Sequence, residues 1–301
     1  MSQRRARIIF NPAAGRGAAA RRIPDLLDAF RKVGITDVLP TAAKGDEERL
    51  TLGAIEEGIN SIVVAGGDGT CSRVANAILR SESDCALAVV PLGTGNDFAK
   101  TLGVNEMPAR EIARLVAAGM MTRMDVGRIE QHHFLNSLGF GFVPSVLEAT
   151  QHVRFLKGDA VYIYSALAQL LTYRGFSVSS DSSPSSEARR MLMVTVSNGR
   201  FLGGAFRIAP NASVCDGQLD FGFVGDSSVI DRVRLFAGAF HGKHLSRPSV
   251  TVECARAMTL HFPAPPMMEV DGELRQALSS TLKIECTPGA LNVIAAPGYP
   301  V

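Results

Sequence analysis

No two cysteines in this chain sit at C-x-x-C spacing; the five, Cys71, Cys85, Cys215, Cys254 and Cys286, are scattered. An odd, dispersed set reads as reduced thiols, which excludes a disulfide framework or a cysteine zinc site and points to a cytoplasmic protein. Charge of one sign is scarce too. The formal net charge is +2 and no block of like charge exceeds a few residues, so nucleic acid is not an expected partner. Long apolar runs are missing. The best, "VYIYSALAQLL" at Val161–Leu171, has the length of a core helix, short of the roughly 18 residues of a membrane span. The basic start "MSQRRARIIFNPAAG" continues into an apolar run too short for a signal peptide. The expectation is a cytoplasmic chain with no transmembrane segment, touching a membrane only from outside. What is present is core: 46% hydrophobic against 20% charged over 301 residues excludes disorder and suffices for two ordinary domains or one large one.

The first third repeats one unit. "ARIIF" (6–10), "SIVVA" (61–65) and "CALAVV" (85–90) read as buried strands, running into "NPAAGRG", "GGDGT" and "PLGTGND" respectively. Helix patterns follow: Ile23, Leu26, Leu27 and Phe30 after the first loop, then "CSRVANAILR", "FAKTLG" and "AREIARLVAAG". Solidly apolar strands alternating with helices predict a parallel sheet covered on both faces. The loops leaving strand carboxyl ends then share one edge, where ligands bind.

From about Arg123 the texture changes to short strand-like segments: "TRMDVGRIE", "HFLNSLGF", "MLMVTVSN", "QLDFGFV", "AMTLHF", "MMEVDGEL", "TLKIEC" and "LNVIAA". Helical stretches near 144–173 and 228–245 interrupt them, and "SVSSDSSPSSEARR" (177–190) reads as a long hairpin loop. The expected division is an α/β nucleotide-binding domain, 1–125, and a β-sandwich-like domain with helical insertions, 126–301. The C-terminal tail is a candidate to pack back on the first domain, and substrates commonly sit in a cleft at such a junction.

Glycines let backbone N–H groups converge on an anion, and the following helix adds its positive end. The loops are no P-loop, since G-x-x-x-x-G-K-[ST] is absent. They are no dinucleotide fingerprint either, since "GTGNDF" and "GDGTCS" lack the third glycine. Asp68, bare in its loop, would repel a phosphate unless a cation lies between them, and Mg²⁺ with a nucleotide meets that need.

With these motifs the chain resembles the diacylglycerol kinase–sphingosine kinase catalytic family, in its single-chain bacterial lipid kinase form. "NPAAG", "GGDGT", "PLGTGND", "RMDVG", "SNGRFLGGAFRIAPNASVCDGQLD" and "EVDGE" occur in that order at family-like spacing over nearly the whole chain. "GGDGT" alone is shared with nicotinamide nucleotide kinases and phosphofructokinases; the ordered set is far more specific. One departure is "GGA" at 203–205, where the family often has three glycines. The resemblance implies ATP and Mg²⁺ as cofactors and a lipid acceptor. It matches Asn11, Pro12, Ala13, Ala14, Gly15, Thr41, Gly67, Asp68, Gly69, Thr70, Cys71, Ser72, Arg73 and Thr94 to nucleotide-contacting positions. Asp125 matches a second acidic position beside Asp68. Asp271 and Glu273 lie in the motif that holds the family's general base, with Glu273 favoured. Ser213, Asp216 and Gln218 match a metal site, Asp216 through its side chain and the other two through backbone carbonyls.

Plainer readings stand beside these. "GGDGT" can be a tight turn with an Asx bond, Asn96 or Asp97 can simply cap "FAKTL", and "CDGQ" and "VDGEL" can be hairpin turns. In favour of chemistry, Asp271 and Glu273 would alternate onto one side of an extended chain. His132 and His133 read as surface strand residues. The helix carrying Arg232, Arg234, Phe236, Phe240, Lys243 and Arg247 reads as solvated with a buried stripe, in preference to a membrane-docking one. Phe140, Phe142, Val143, Tyr162 and Leu167 either line an acyl pocket or fill a core. The expected function is transfer of the ATP γ-phosphoryl group to a lipid hydroxyl. A kinase of a soluble acceptor, such as a nicotinamide nucleotide, and a non-catalytic nucleotide- or lipid-binding module are the rivals.

Overall fold

In the computed structural model, residues 5–17, 19–43, 45–153, 159–182 and 188–298 are described. The chain divides into two compact units, one running to Asp125 and resuming at Gly289, the other spanning Val126–Pro288.

The first unit carries the parallel sheet. β1 (Ala6–Phe10), β2 (Asp37–Pro40), β3 (Ser61–Gly66) and β4 (Ala86–Pro91) lie in the order β4-β3-β1-β2, all parallel. Every residue of β3 and β4 is buried, as strands covered on both faces must be. The helices are α1 (Ala19–Arg31), α2 (Asp46–Glu56), α3 (Asp68–Arg80), α4 (Asp97–Thr101) and α5 (Ala109–Ala118). α1 buries Ile23, Leu26 and Phe30, the stripe its periodicity predicts. The Arg7 guanidinium, buried between Asp37 and Glu57 at 2.9 and 2.6 Å, pins β1 to its flank; hydrogen bonds to both carboxylates raise its pKa further.

β5 (Thr122–Ile129) leads into the second unit, an antiparallel β-sandwich-like body with helical insertions. It comprises β6 (His132–Phe134), β7 (Ser137–Gly141), α6 (Phe142–Thr150), α7 (Asp159–Thr172), β8 (Phe176–Ser180), β9 (Arg189–Ser197), β10 (Leu219–Gly225) and α8 (Val229–Ala239). β11 (Val250–Ala255), β12 (Ala257–His261), β13 (Met267–Val270), β14 (Glu273–Gln276) and the part of β15 (Thr281–Val293) up to Pro288 complete it. β9 pairs with β7, β8 and β10; β13 joins β7 to β14, and β12 joins β8 to β15. Phe134, Phe140, Phe221, Leu260 and Ile284 sit at the centre of its core.

Several segments differ from expectation. "TLKIEC" and "LNVIAA" are one strand, β15. Thr287-Pro288-Gly289 reads as a break, yet Gly289 takes φ 57 within the strand and gives its N–H to Asp125, which replaces a ladder partner. "HFLNSLGF" is two strands broken at Leu135-Asn136. The stretch 144–173 holds two helices, and α8 stops at Ala239, with Gly242 at φ 72 before a 3₁₀ turn at Lys243–Ser246. His132 and His133 are half-buried. The 177–190 segment does connect the hairpin β8–β9; its residues 183–187 lie outside the described residues.

Gly127 and Phe134 face each other across β5 and β6, and a Cβ at 127 would stand 2.0 Å from the Phe134 ring. Gly127→Ala should therefore destabilise the protein by about 1–3 kcal/mol through overpacking. Adding Phe134→Leu should return part of the loss, giving a non-additive cycle in urea unfolding. Additive losses would show that the ring and the glycine do not share that space.

Candidate active site

The loops at the carboxyl edge of the parallel sheet are tied to one another by side chains. Asn11, just past β1, donates its backbone N–H to Ala65 O at 3.0 Å and its Nδ2–H to Thr70 Oγ1 at 3.1 Å. Its Oδ1 accepts the Ala13 N–H, shaping the turn through Pro12, Ala13, Ala14 and Gly15. Thr41, buried, donates its N–H to Phe10 O and sets the loop after β2 alongside. Leu92 N–H binds Gly66 O, continuing the β3–β4 ladder into the second and third loops.

Those two loops touch backbone to backbone. A Cβ on Gly93 would lie 2.6 Å from Gly67 Cα, and one on Gly66 would lie 2.8 Å from Thr70 Cβ. The glycines are thus required for loop packing, in addition to any part in cradling an anion. Asn96, at φ 52, accepts the Gly93 N–H and donates back to Gly93 O, which closes the "PLGTGND" turn.

Asp68 is not bare. It opens α3, is partly buried, and its Oδ1 accepts the Phe98 N–H at 3.0 Å. The cap of α4 therefore comes from a residue thirty positions upstream, and neither Asn96 nor Asp97 supplies it. Burial pushes the Asp68 carboxyl above its ordinary value, with the amides of Phe98 and Asn96 and the charge of Lys100 opposing. Of its neighbours, Gly69 and Ser72 remain accessible at the helix start and Thr94 is exposed at the third loop's tip. Cys71 is buried in the core. Arg73 is held by the buried Glu47 at 3.1 Å. Asp125 is buried, and one carboxylate oxygen accepts Gly289 N–H at 2.7 Å.

The "EVDGE" motif is a hairpin. Asp271 and Gly272, at φ 46 and 84, form the two-residue turn between β13 and β14, with Val270 and Glu273 paired at its base. The two carboxylates therefore do not alternate along an extended chain. Asp271 is buried, and its carboxylate accepts the N–H groups of Leu135, Asn136 and Ser137 at 2.8, 2.9 and 3.1 Å. It serves the break between β6 and β7. Glu273 is partly exposed and ion-paired with Arg275 at 3.1 Å. A third carboxylate, Glu269, is buried opposite Gly139 and accepts the Gly272 N–H. The sequence reading passed over it, although it shares the motif and sits two residues before Asp271.

"CDGQ" is a turn as well. Asp216 is exposed and its Oδ1 accepts the Gln218 N–H; Ser213 Oγ accepts the Cys215 N–H, and Gly217 stands at φ 75. Nearby Asp220 is raised above the usual carboxylate range by burial and by the Asp216 charge, against a hydrogen bond from Cys254. Among the described residues no group of three or more His, Cys, Asp or Glu side chains is arranged to hold a metal.

Comparison with known proteins fits this geometry. Residues 5–129 match the diacylglycerol kinase catalytic domain, and residues 136–295 match the YegS C-terminal NAD kinase beta sandwich-like domain. The chain belongs to the diacylglycerol kinase catalytic family. It is 25% identical to the diacylglycerol kinase of Bacillus subtilis over 272 residues, 90% of each chain. It is 26% identical to that of Staphylococcus aureus over 275 residues, 90% of this chain and 86% of the relative. A solved structure from Bacillus anthracis, assigned as a diacylglycerol kinase, aligns over 100% of both chains with TM-score 0.80 and 26% identity.

Membership of this kinase family makes the chain a phosphotransferase and implies ATP as its phosphoryl donor. Within its first unit the glycine loops, Asn11 and Asp68 are gathered at one edge. Asp271 is built into the scaffold of the second unit, and Glu273 keeps an accessible carboxylate. The two should separate in a stability measurement. Asp271→Ala strands three buried amides and should cost about 3 kcal/mol or more in urea unfolding. Glu273→Ala should stay within about 0.5 kcal/mol. Equal midpoints for Asp271→Ala and the parent chain would remove the scaffold role.

Proposed function

We propose that this kinase transfers the γ-phosphoryl group of ATP to the hydroxyl of a lipid, with Mg²⁺ accompanying the nucleotide. The observation that carries the lipid acceptor is an apolar cavity in the second unit. It has a volume of about 70 Å³, several times the roughly 10–15 Å³ that one water needs. Phe142 and Val146 of α6, Leu170 of α7, Leu235 of α8 and Leu192 of β9 line it. Its two ionisable neighbours are already engaged. Arg232 donates to Leu170 O, Tyr173 O and Asp226, while His244 Nε2 binds Ile208 O and burial pushes that imidazole's pKa down, toward the neutral ring. A hydrocarbon chain suits such walls; a charged soluble nucleotide does not. Of the residues named from sequence for an acyl pocket, Phe142 and Val143 line this cavity and Phe140 belongs to the sandwich core. Leu167 is exposed, and the side chain of Tyr162 lies outside the described residues.

In this reading the α3 N-terminus and the glycine loops receive the phosphates, joined by Asn11 to Gly15, Thr41 and Thr94. Asp68 would hold the cation, which would supply charge neutralisation for the transferred group; Asp125 would support that edge from β5. The raised pKa of Asp68 fits the assignment, since a buried carboxylate gains most from a nearby cation. Glu273 takes the hydroxyl proton as the lipid oxygen bonds to phosphorus and ADP departs. Asp271, engaged by three amides, orients the hairpin that presents Glu273. Asp216, with the carbonyls of Ser213 and Gln218, would hold a structural cation.

The test is phosphate transfer from radiolabelled ATP, with diacylglycerol in mixed micelles and a nicotinamide nucleotide as parallel acceptors. Label in the lipid phase supports the proposal; label only in the soluble acceptor overturns it. Glu273→Gln should lower kcat by about 10²-fold or more with little change in ATP binding. Asp68→Asn should abolish turnover while the melting temperature stays level or rises. A folded-state carboxyl raised above its unfolded value loses stability as pH climbs past that value, so at neutral pH the uncharged amide removes a penalty. Near parental activity in Asp68→Asn would reduce Asp68 to a helix cap.

A further inference from the structure

α2 opens on three consecutive carboxylates, Asp46, Glu47 and Glu48, and each meets a different partner. Asp46 turns back on the loop after β2, where one oxygen accepts the Ala42 N–H at 2.7 Å and the other takes Arg49 at 2.9 Å. Glu48 pairs with Arg80 of α3 at 2.8 Å on the surface. Glu47 is the buried one, its side chain 1% exposed. One of its oxygens accepts an N–H from Arg73 Nη1 of α3 at 3.1 Å, and the other accepts the Gly45 N–H at 2.9 Å. Glu47 therefore joins the loop after β2 to the second turn of α3.

Fastening α2 to α3 does not account for this pair. Withdrawing two charges from water offsets most of their attraction, and apolar side chains of similar length would hold the helices at least as well. What an ion pair adds is direction. The Arg73 side chain keeps 23% exposure against 1% for Glu47, so the guanidinium is backed by the carboxylate and open on its far side. Its donors lie in one rigid plane, and anchoring one nitrogen limits the aim of the others. That opening belongs to the loop edge. α2 and α3 both follow strands of the parallel sheet, so both start at the edge where Asn11, Thr41 and the glycine loops gather. Arg73 stands in α3 past Asp68, about 7.5 Å along the helix axis, and helical side chains lean back toward the N-terminus.

We infer that Glu47 is a positioning residue for the nucleotide: it holds the Arg73 guanidinium at the loop edge, where Arg73 binds the phosphate chain. A planar guanidinium meets phosphate oxygens through two parallel N–H bonds, and a nucleotide's phosphate chain carries several negative charges close together. Through the Gly45 amide the same carboxylate ties the loop after β2 to that cation, so the loop carrying Thr41 and the phosphate contact on α3 are set as one. The inference rests on the reading that the glycine loops receive ATP, and adds to it one contact and the support of that contact.

The experiment measures ADP and adenosine binding to the full chain by calorimetry with Mg²⁺ present. Arg73→Gln should weaken ADP by about tenfold or more through loss of a charge-assisted contact, and leave adenosine unchanged. Glu47→Gln keeps an acceptor for the Gly45 amide and removes the charge behind Arg73; it should weaken ADP by about fivefold, again sparing adenosine. In the Arg73→Gln background, Glu47→Gln should lose no further affinity, since its effect runs through the arginine. In turnover the loss should fall on KM for ATP and not on kcat. Glu47→Met with Arg73→Met exchanges the buried pair for apolar side chains, so it should melt at or above the parent and bind ADP no better than Arg73→Gln. Parental ADP binding in that folded double variant, or in Glu47→Gln, overturns the inference. Losses that multiply when Glu47→Gln and Arg73→Gln are combined overturn it too, because Glu47 then acts by another route. Equal weakening of ADP and adenosine assigns the pair a structural role and overturns the phosphate contact. A parent chain that binds neither ligand removes the nucleotide reading itself, and the inference falls with it.

Discussion

The first unit is organised around one partly buried carboxylate. Asp68 stands at the start of α3, accepts the Phe98 amide at the start of α4, and so joins two loops that leave different strands. The approach of Gly67 to Gly93 is possible only because neither carries a side chain, and Asn11 reaches the same helix through Thr70. Each tie constrains the next: if the carboxylate moved outward, the Phe98 amide would lose its partner and the third loop its anchor. The price of this arrangement is a carboxyl whose ionised form is disfavoured by burial.

In the second unit a similar device has a different purpose. Asp271 faces three successive amides, a concave donor set that fixes the turn between β6 and β7. Its neighbours Glu269 and Glu273 are close in sequence but differ in setting: one is buried beside Gly139, the other borders solvent beside Arg275. Three acidic residues within five positions thus divide into scaffold, buried brace and accessible group. The β-turn, through the positive φ of Asp271 and Gly272, creates that division.

The fold class was legible because its signals are local. Solidly apolar strands, the 3.6-residue stripe of α1 and the glycines after each strand all lie within a few residues of what they determine. The site was legible as a set of loops and much less as roles. That Asp68 caps α4, or that Asp271 serves amides at 135–137, depends on contacts made across thirty and more than a hundred and thirty positions, which no window on the sequence contains. The alternation argument for Asp271 and Glu273 failed at two torsions, since the left-handed pair Asp271-Gly272 cancels the period of a strand. β15 was divided wrongly for the complementary reason: Thr287-Pro288-Gly289 carries the marks of a loop, and the Asp125 carboxylate that receives the Gly289 amide lies 164 positions away.

That same strand has a consequence for how the chain is made. β15 starts in the second unit and finishes in the first, where Val293 lies beside Leu87 and the amides of Ile294 and Ala296 bind the carbonyls of Leu87 and Leu102. The open side of β4 is therefore covered by residues translated after the whole second unit. During synthesis the glycine-loop unit emerges before the second unit but waits, with one flank of its sheet exposed, until residues 126–288 have left the ribosome. The middle of the chain can complete its own hydrogen bonds earlier, so order of emergence and order of completion are reversed in this protein.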